Sequence, residues 1–192
     1  MNMKKILLVF AANIALTFGF RAQAQEYVDL GLSVNWAAYN VGAQSIEELG
    51  TQYVAGTIVP LAEANDISLL AAKVPGSEVS GNSERDAATA KWGMGWRTPT
   101  RQEWDELLRC CKLKKGKFLL GNGVKVQGVQ VTGPNGNTIF FQVKDLKNSF
   151  IWYYMVEAKM ERWAMSGYIA VVGGYGMIPF PVYIRPVIDK TN

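Results

Sequence analysis

One segment in the middle of the chain specifies two helices and the corner between them. It reads KWGMGWRTPTRQEWDELL over residues 91–108. The alanine-rich sequence before it, followed by Gly93, predicts a helix over residues 84–92 that ends at the glycine. Ser83 and Asp86 have the spacing of a weak capping box, in which aspartate replaces the preferred glutamate, at the start of that helix.

The second helix has a complete start signal. Thr100 and Glu103 have the spacing of a capping box, in which the threonine hydroxyl accepts a hydrogen bond from the Glu103 amide and the glutamate reaches back. Four residues then recur at the helical spacing i, i+3, i+4, i+7: Trp104, Leu107, Leu108 and Cys111. We therefore expect a helix over residues 101–111 with these four side chains on its buried face. Asp105 and Glu106 point to different faces, so no acid–base pair is expected of them.

The tryptophans and arginines around this corner are predicted to be structural. The rings of Trp92, Trp96 and Trp104 are expected in the core. Arg97 and Arg185 are expected to be buried braces that donate hydrogen bonds to loop carbonyls. For Arg97 the alternative is a clamp on a substrate.

The N-terminal part and the hairpin have strand patterns. Leu32, Val34 and Trp36 alternate with small or polar residues, which predicts a strand with one buried face after a tight bend at residues 29–31. Asn135-Gly136 between two alternating runs is typical of a β-hairpin turn. The stretch between the two regions, residues 44–82, is predicted to be a long irregular excursion, in which residues 67–73 could add a short helical or extended piece.

The last third is predicted to be extended. Residues 162–172 and 180–187 have strand composition and are joined by a glycine-rich segment. Two helices early in a chain that finishes as antiparallel strands indicate an α+β fold. We expect a single domain over residues 25–192, which is long enough to bury one substantial core.

Composition excludes several kinds of chemistry. The chain contains no histidine, which excludes Ser-His-Asp and Cys-His catalysis and removes a common metal ligand. Its only cysteines, Cys110 and Cys111, are adjacent, and a bond between them would need a strained ring. No structural disulfide, cofactor or metal site is expected. One thiol is expected to be buried and the other partly exposed, with a reactive or intermolecular thiol as the alternative.

The first 24 residues have the layout of a secretory signal peptide. Lysines precede an apolar run, and Ala22-Gln23-Ala24 is a small-x-small site, so cleavage is expected after Ala24. An N-terminal membrane anchor is the alternative, but the run is shorter than the roughly 20 residues that span a bilayer. The mature chain is expected to be exported, to the periplasm, the outer surface or the medium, with no membrane span after the signal is removed.

Charge argues against a nucleic-acid partner. The full chain has a net charge of +4, and Lys4, Lys5 and Arg21 would leave with the signal, so the mature chain has about +1. The remaining basic cluster consists of Lys112, Lys114, Lys115 and Lys117. We interpret it as a solvated helix exit and turn, with a patch for an anionic partner as the alternative.

Four motifs in order resemble one protein family. They are YVDLGLSVNWAAYNVGA, ERDAATAKWGMGWRTPTRQEWDELL, GVQVTGPNGNTIFF and YIRPV. Together they resemble the Fibrobacter succinogenes major paralogous domain, abundant in exported Bacteroidetes proteins, over essentially the whole mature chain. The resemblance implies a C-type-lectin-like fold with two helices on a small antiparallel sheet and a long loop region on one side. The calcium-dependent sugar-binding triplets of true C-type lectins are absent, so neither calcium nor a particular sugar is implied.

These observations predict a non-enzymatic binding module whose ligand is a glycan or a surface protein. Nine aromatic residues lie between residues 150 and 183, and exposed rings of this kind stack on sugars or anchor protein contacts. Tyr153, Tyr154 and Tyr175 are the candidate ligand-binding residues. The alternative is a structural or assembly subunit of a surface adhesin or fimbria-like complex.

Overall fold

The computed structural model of the chain describes most of the predicted mature region. The described residues are 25–54, 56–64, 79–93, 95–120, 122–142, 151–154, 161–165, 169–173 and 181–191, with the backbone alone for 151–154, 161–165, 169–173 and 181. The predicted signal peptide and the piece predicted over residues 67–73 lie outside them.

The described part of the chain is a mixed α+β structure, as predicted at that level. It contains twelve strands, two α-helices and one 3-10 helix. In chain order these are β1 (Tyr27–Val28), β2 (Val34–Ala37), β3 (Tyr53–Val54), the 3-10 helix (Leu61–Glu63), α1 (Ala87–Trp92), β4 (Trp96–Arg97), α2 (Arg101–Cys110), β5 (Lys112–Leu119), β6 (Lys125–Thr132), β7 (Thr138–Gln142), β8 (Ile151–Tyr154), β9 (Glu161–Met165), β10 (Ile169–Gly173), β11 (Pro181–Val182) and β12 (Val187–Asp189).

The described strands form four small sheets. One has the order β1-β2-β12-β4 and another the order β5-β6-β7, and both are antiparallel. β3 pairs with β11, also antiparallel. In the fourth sheet β10 is antiparallel to β9 but parallel to β8, so the prediction that the chain finishes in antiparallel strands is wrong for that pair. The intervening β9 supplies the return that a parallel pair needs.

The start of α1 differs from the prediction. The helix begins at Ala87, three residues later than expected, because Asp86 itself is the N-cap and accepts a hydrogen bond from the Ala88 amide at 2.9 Å. The same buried carboxylate accepts hydrogen bonds from the Thr98 amide at 2.8 Å and the Gly81 amide at 3.0 Å. Asp86 therefore joins the start of α1 to the segments that contain Gly81 and Thr98. The Ser83–Asp86 capping box is therefore wrong, whereas the end of the helix at Gly93 is confirmed.

The start of α2 is as predicted. The Thr100 hydroxyl accepts from the Glu103 amide at 3.3 Å, and the Glu103 carboxylate accepts from the Thr100 amide at 2.7 Å. On the predicted buried face Trp104, Leu107 and Cys111 are buried, while Leu108 is partly buried. Both cysteines are free, with Cys110 exposed and Cys111 buried.

Two patterns were interpreted wrongly. The lysine cluster is not a turn, because Cys111 is already extended and the chain enters β5 at once, pairing with β6 along its whole length. Lysines on an edge strand discourage pairing with other chains. In β2 both faces are buried, not one, since Asn35 and Ala37 are covered as well. This strand lies inside its sheet, between β1 and β12.

The predicted hairpin and bend are confirmed and contact each other. β6 and β7 pair around a turn in which Gly136 has a φ of 89°. The bend at residues 29–31 has Gly31 at a φ of 76°, with the Gly31 amide donating to Asp29 at 2.7 Å. The Asn135 and Asn137 side chains both donate to the Asp29 carbonyl oxygen at 2.8 Å, so the hairpin tip is fixed to the bend.

Among the residues that the structure describes, the core consists of two clusters. The first joins β2, β12, α2, β6 and β7, with the Trp104 ring 4.9 Å from that of Trp36 and 5.9 Å from that of Phe141. The second cluster consists of Val41, Tyr53, Val79, Ala87, Ala88, Val182 and Ile184, with Trp92 packed against it. Within the described residues, no helix has the length and apolar character needed to cross a bilayer.

Candidate functional site

An open cleft of about 590 Å³ lies over the second core cluster. Its volume falls within the range of about 300–1,000 Å³ usual for small-molecule sites. Three aromatic residues, Tyr39, Tyr53 and Trp92, line it together with Thr51 and Gln44. The Trp92 ring is partly exposed at the cleft, whereas Tyr39 and Tyr53 are 7% and 2% exposed and support its wall from within the core. Apolar surface beside a few convergent polar groups is the composition expected of a binding site.

The aromatic wall of the cleft continues into the sheet behind it. The Tyr39 and Trp92 rings are 6.3 Å apart and nearly perpendicular, and the Trp92 and Trp96 rings are 5.1 Å apart in the same arrangement. Tyr27 extends the series, 6.5 Å from Trp96. Edge-to-face contacts of this kind fix the angle at which each ring is held. Trp92 is thus positioned from both sides at the cleft.

The loop that carries Tyr39 is shaped by glycine. Gly42 has a φ of 82°, and a Cβ atom there would overlap the Thr51 side chain. This close approach allows the Thr51 amide to donate to the Val41 carbonyl oxygen at 2.9 Å, while the Val41 amide donates to Ile184 at 3.0 Å. Tyr39 and Thr51 therefore meet at the cleft because glycine lets two loops pack in contact.

Arg185 holds the same loop from within the core. It is 2% exposed and donates to the Asn40 side chain at 2.7 Å, to Ala37 and Ala38 carbonyl oxygens at 3.1 and 2.6 Å, and to the Phe140 carbonyl oxygen at 3.0 Å. The prediction that it is a buried brace to carbonyl groups is confirmed. Because these carbonyls flank Tyr39, the guanidinium sets where the tyrosine stands.

The tyrosine hydroxyls stay protonated at neutral pH. Burial raises the pKa of Tyr53, opposed by a hydrogen bond with the Thr51 side chain and assisted by the Glu63 carboxylate. Burial likewise raises the pKa of Tyr39, with a further contribution from the Glu26 carboxylate. Both side chains therefore present neutral phenols, which donate and accept hydrogen bonds.

The rim of the cleft carries one acidic and one basic side chain. Glu63, on the 3-10 helix, and Lys91, at the end of α1, are both exposed. The 3-10 helix is placed by the Leu61 amide, which donates to the Gln52 carbonyl oxygen at 2.8 Å beside β3. No group of three histidine, cysteine or acidic side chains suited to a metal occurs among the described residues. The arrangement is suited to binding a largely neutral ligand.

The described side chains that line this cleft are not the predicted site residues, whose own side chains lie outside the described part of the structure. Tyr153 and Tyr154 lie in β8, described by its backbone, and Tyr175 lies outside the described residues. Tyr39 and Tyr53 were not predicted as site residues. Tyr39 stands in the first sequence motif, but no local pattern marks it as a cleft residue.

The residues of the tryptophan–arginine corner have separate roles. Trp96 and Trp104 are buried as predicted, whereas Trp92 is only partly buried and lines the cleft. Arg97 is a brace, but it is partly exposed instead of buried, and its partners are carboxylates instead of carbonyls: it donates to both Glu103 oxygens, at 2.6 and 2.9 Å, and to Asp189 at 2.7 Å. Arg97 pairs with Glu103 in this way because the planar guanidinium group can donate to both carboxylate oxygens at once.

Comparison with known proteins gives no relative. No protein-family model, curated protein or solved structure matches this chain.

Proposed function

We propose that the chain is an exported, non-enzymatic binding module that holds a glycan in the cleft formed by Tyr39, Tyr53 and Trp92. The scaffold we propose is C-type-lectin-like, of the Fibrobacter succinogenes major paralogous domain kind. The observation that carries the proposal is the cleft itself, in which three aromatic side chains stand beside neutral hydroxyl and amide groups. Sugar rings offer an apolar face and hydroxyl groups, and this lining is complementary to both.

The lining of the cleft favours binding over hydrolysis. Glycoside hydrolysis ordinarily uses two carboxylates that flank the scissile bond, and among the described residues that line the cleft Glu63 alone is acidic. The chain also lacks the histidine that most general acid–base mechanisms employ. A retained, unmodified ligand is the expected outcome.

Export is part of the proposal. Cleavage after Ala24 would make Gln25 the first residue, and Gln25 lines the cleft. The intact mass of the protein recovered from the periplasm, cell surface or medium tests this. A mass that begins at Gln25 supports the proposal, and a mass that retains the leader contradicts it.

The test of function is a glycan array probed with the folded chain of residues 25–192. Hits are then titrated by calorimetry, whose signal does not depend on Trp92 as a reporter. Trp92→Ala is expected to weaken binding at least tenfold, whereas Leu119→Ala, which removes an exposed apolar side chain outside the cleft lining, is expected to leave it unchanged. A blank array, or equal binding by both variants, would refute the proposal.

The assembly-subunit alternative has one supporting observation. β5 is eight residues long and, within the described residues, pairs with β6 alone, so its other edge has unpaired backbone groups, although the lysines on it oppose the addition of a further strand. Light scattering at high protein concentration separates the two functions. A clean monomer argues for the binding module, and defined oligomers argue for the subunit.

A further inference from the structure

A second recess adjoins the cleft. Its volume is about 370 Å³, and Tyr39 and Gln44 line both cavities. These two residues therefore form the wall between the cavities, in which the Tyr39 side chain is buried and Gln44 is exposed.

The recess has the same chemistry as the cleft. Val28, Ile139 and Phe140 supply apolar surface, while Ser45 and Thr138 supply hydroxyl groups. The Phe140 ring is also fixed from behind, since the Phe118 ring contacts it edge-to-face at 5.2 Å. An apolar patch with hydroxyl groups beside it repeats the lining that we assign to a sugar ring.

The junction between the cavities is rigid. Arg185 donates to the Ala38 carbonyl oxygen next to Tyr39, and the Ala38 amide donates to the Glu26 carbonyl oxygen at 3.0 Å. The Phe140 carbonyl oxygen, in the strand that lines the recess, accepts from the same Arg185 side chain. One buried guanidinium thus fixes Tyr39 and the recess relative to each other.

From this juxtaposition we propose that the cleft and the recess are two subsites of one site, which binds a linear, neutral oligosaccharide that passes over the exposed Gln44 beside Tyr39. The inference rests on the proposed function and specifies its ligand. A single sugar fills one subsite, whereas a chain of at least two or three units contacts both. An anionic chain is disfavoured by the rims, on which two carboxylates, Glu26 and Glu63, outnumber Lys91.

The test is calorimetric titration of residues 25–192 with three neutral series, β-1,4-glucose, β-1,4-xylose and α-1,4-glucose oligomers, each of one to five units. In at least one series the affinity is expected to rise at least tenfold from one unit to three and then to level off. Thr138→Trp fills the recess from an exposed position, and it is expected to reduce the affinity for the trimer to that for the single sugar. Val124→Trp, at an exposed position outside both linings, is the matched control.

The outcomes separate the two proposals. Binding that does not depend on oligomer length, or that Thr138→Trp leaves unchanged, overturns the two-subsite inference and leaves a one-sugar cleft standing. No binding in any series, or saturable binding of unrelated peptides alone, overturns both. Equal unfolding midpoints for Thr138→Trp and the control confirm that the variant is folded.

Discussion

Arg185 connects the loop of Tyr39 to the core. Its guanidinium group lies 4.5 Å from the centre of the Phe141 ring and donates to three backbone carbonyl oxygens and one side-chain oxygen. A buried carbonyl oxygen without a hydrogen-bond donor lowers the stability of the folded state. Losing Arg185 would leave several such oxygens unpaired, and this cost exceeds the net stabilisation that each bond provides.

Arg185→Met is expected to lower the free energy of unfolding by about 3 kcal/mol or more, because several buried acceptors lose their donor at about 1–3 kcal/mol each. Arg101→Met is the control, since Arg101 is half-exposed and its contact with Asp105, at 3.8 Å, is a surface ion pair. Urea unfolding measures both variants. Equal effects would contradict the role given to Arg185.

Gly42 and Gly123 form a matched pair for testing the loop contact. Both have a φ of 82°, but a Cβ atom would overlap Thr51 at Gly42 and meet nothing within 4 Å at Gly123. Each change to alanine incurs the same backbone strain, and Gly42→Ala adds a clash of about 1–3 kcal/mol. Denaturant unfolding should show that difference, and its absence would mean that the two loops are not in contact.

Cys111 gives a prediction about pH. Burial is the largest cause that raises the pKa of its thiol, to about 11. In Cys110→Ser the remaining thiol should therefore react slowly with a thiol reagent at pH 8, where about one thiol in a thousand is ionised. The rate should rise about tenfold per pH unit toward pH 11. A rate that levels off below pH 9 would show that the thiol is not buried in the folded protein.

At the scale of elements, the sequence patterns that gave correct predictions are those that involve only neighbouring residues. The Thr100 capping box and the Asn135-Gly136 turn each depend on a few neighbouring residues, so their sequence is sufficient. β5 was missed because lysines occupy the positions where an apolar alternation would appear, and its pairing with β6 determines its conformation. The start of α1 was misplaced because Asp86 also binds Thr98, twelve residues away.

The capping box should have a measurable effect on stability. Thr100→Ala removes the acceptor for the Glu103 amide and is expected to cost about 1 kcal/mol in unfolding free energy. Gln102→Ala, an exposed substitution in the same helix, is expected to be neutral or slightly stabilising. Thermal unfolding of the two variants side by side tests this, and a neutral Thr100→Ala would mean that the cap does not hold α2.

At the scale of the whole molecule, the cleft is a product of long-range packing. Its lining comes from segments around residues 39, 53, 63 and 92. Gly42 lets the first two segments meet, the bond from the Leu61 amide to the Gln52 carbonyl oxygen holds the third, and the contact between the Tyr39 and Trp92 rings joins the fourth. No short sequence pattern indicates that such distant segments contact one another in the fold. The aromatic density after residue 150 was conspicuous in the sequence, but density along a chain does not fix which rings line a cavity.

The most direct measurement is an NMR titration of ¹⁵N-labelled residues 25–192 with the tightest-binding oligosaccharide. The account predicts saturable shift changes in the amides at residues 39–44, 51–53 and 91–92, with a second group near Thr138. Changes confined to the surroundings of Tyr153, Tyr154 and Tyr175, with none around Tyr39 and Trp92, would contradict it.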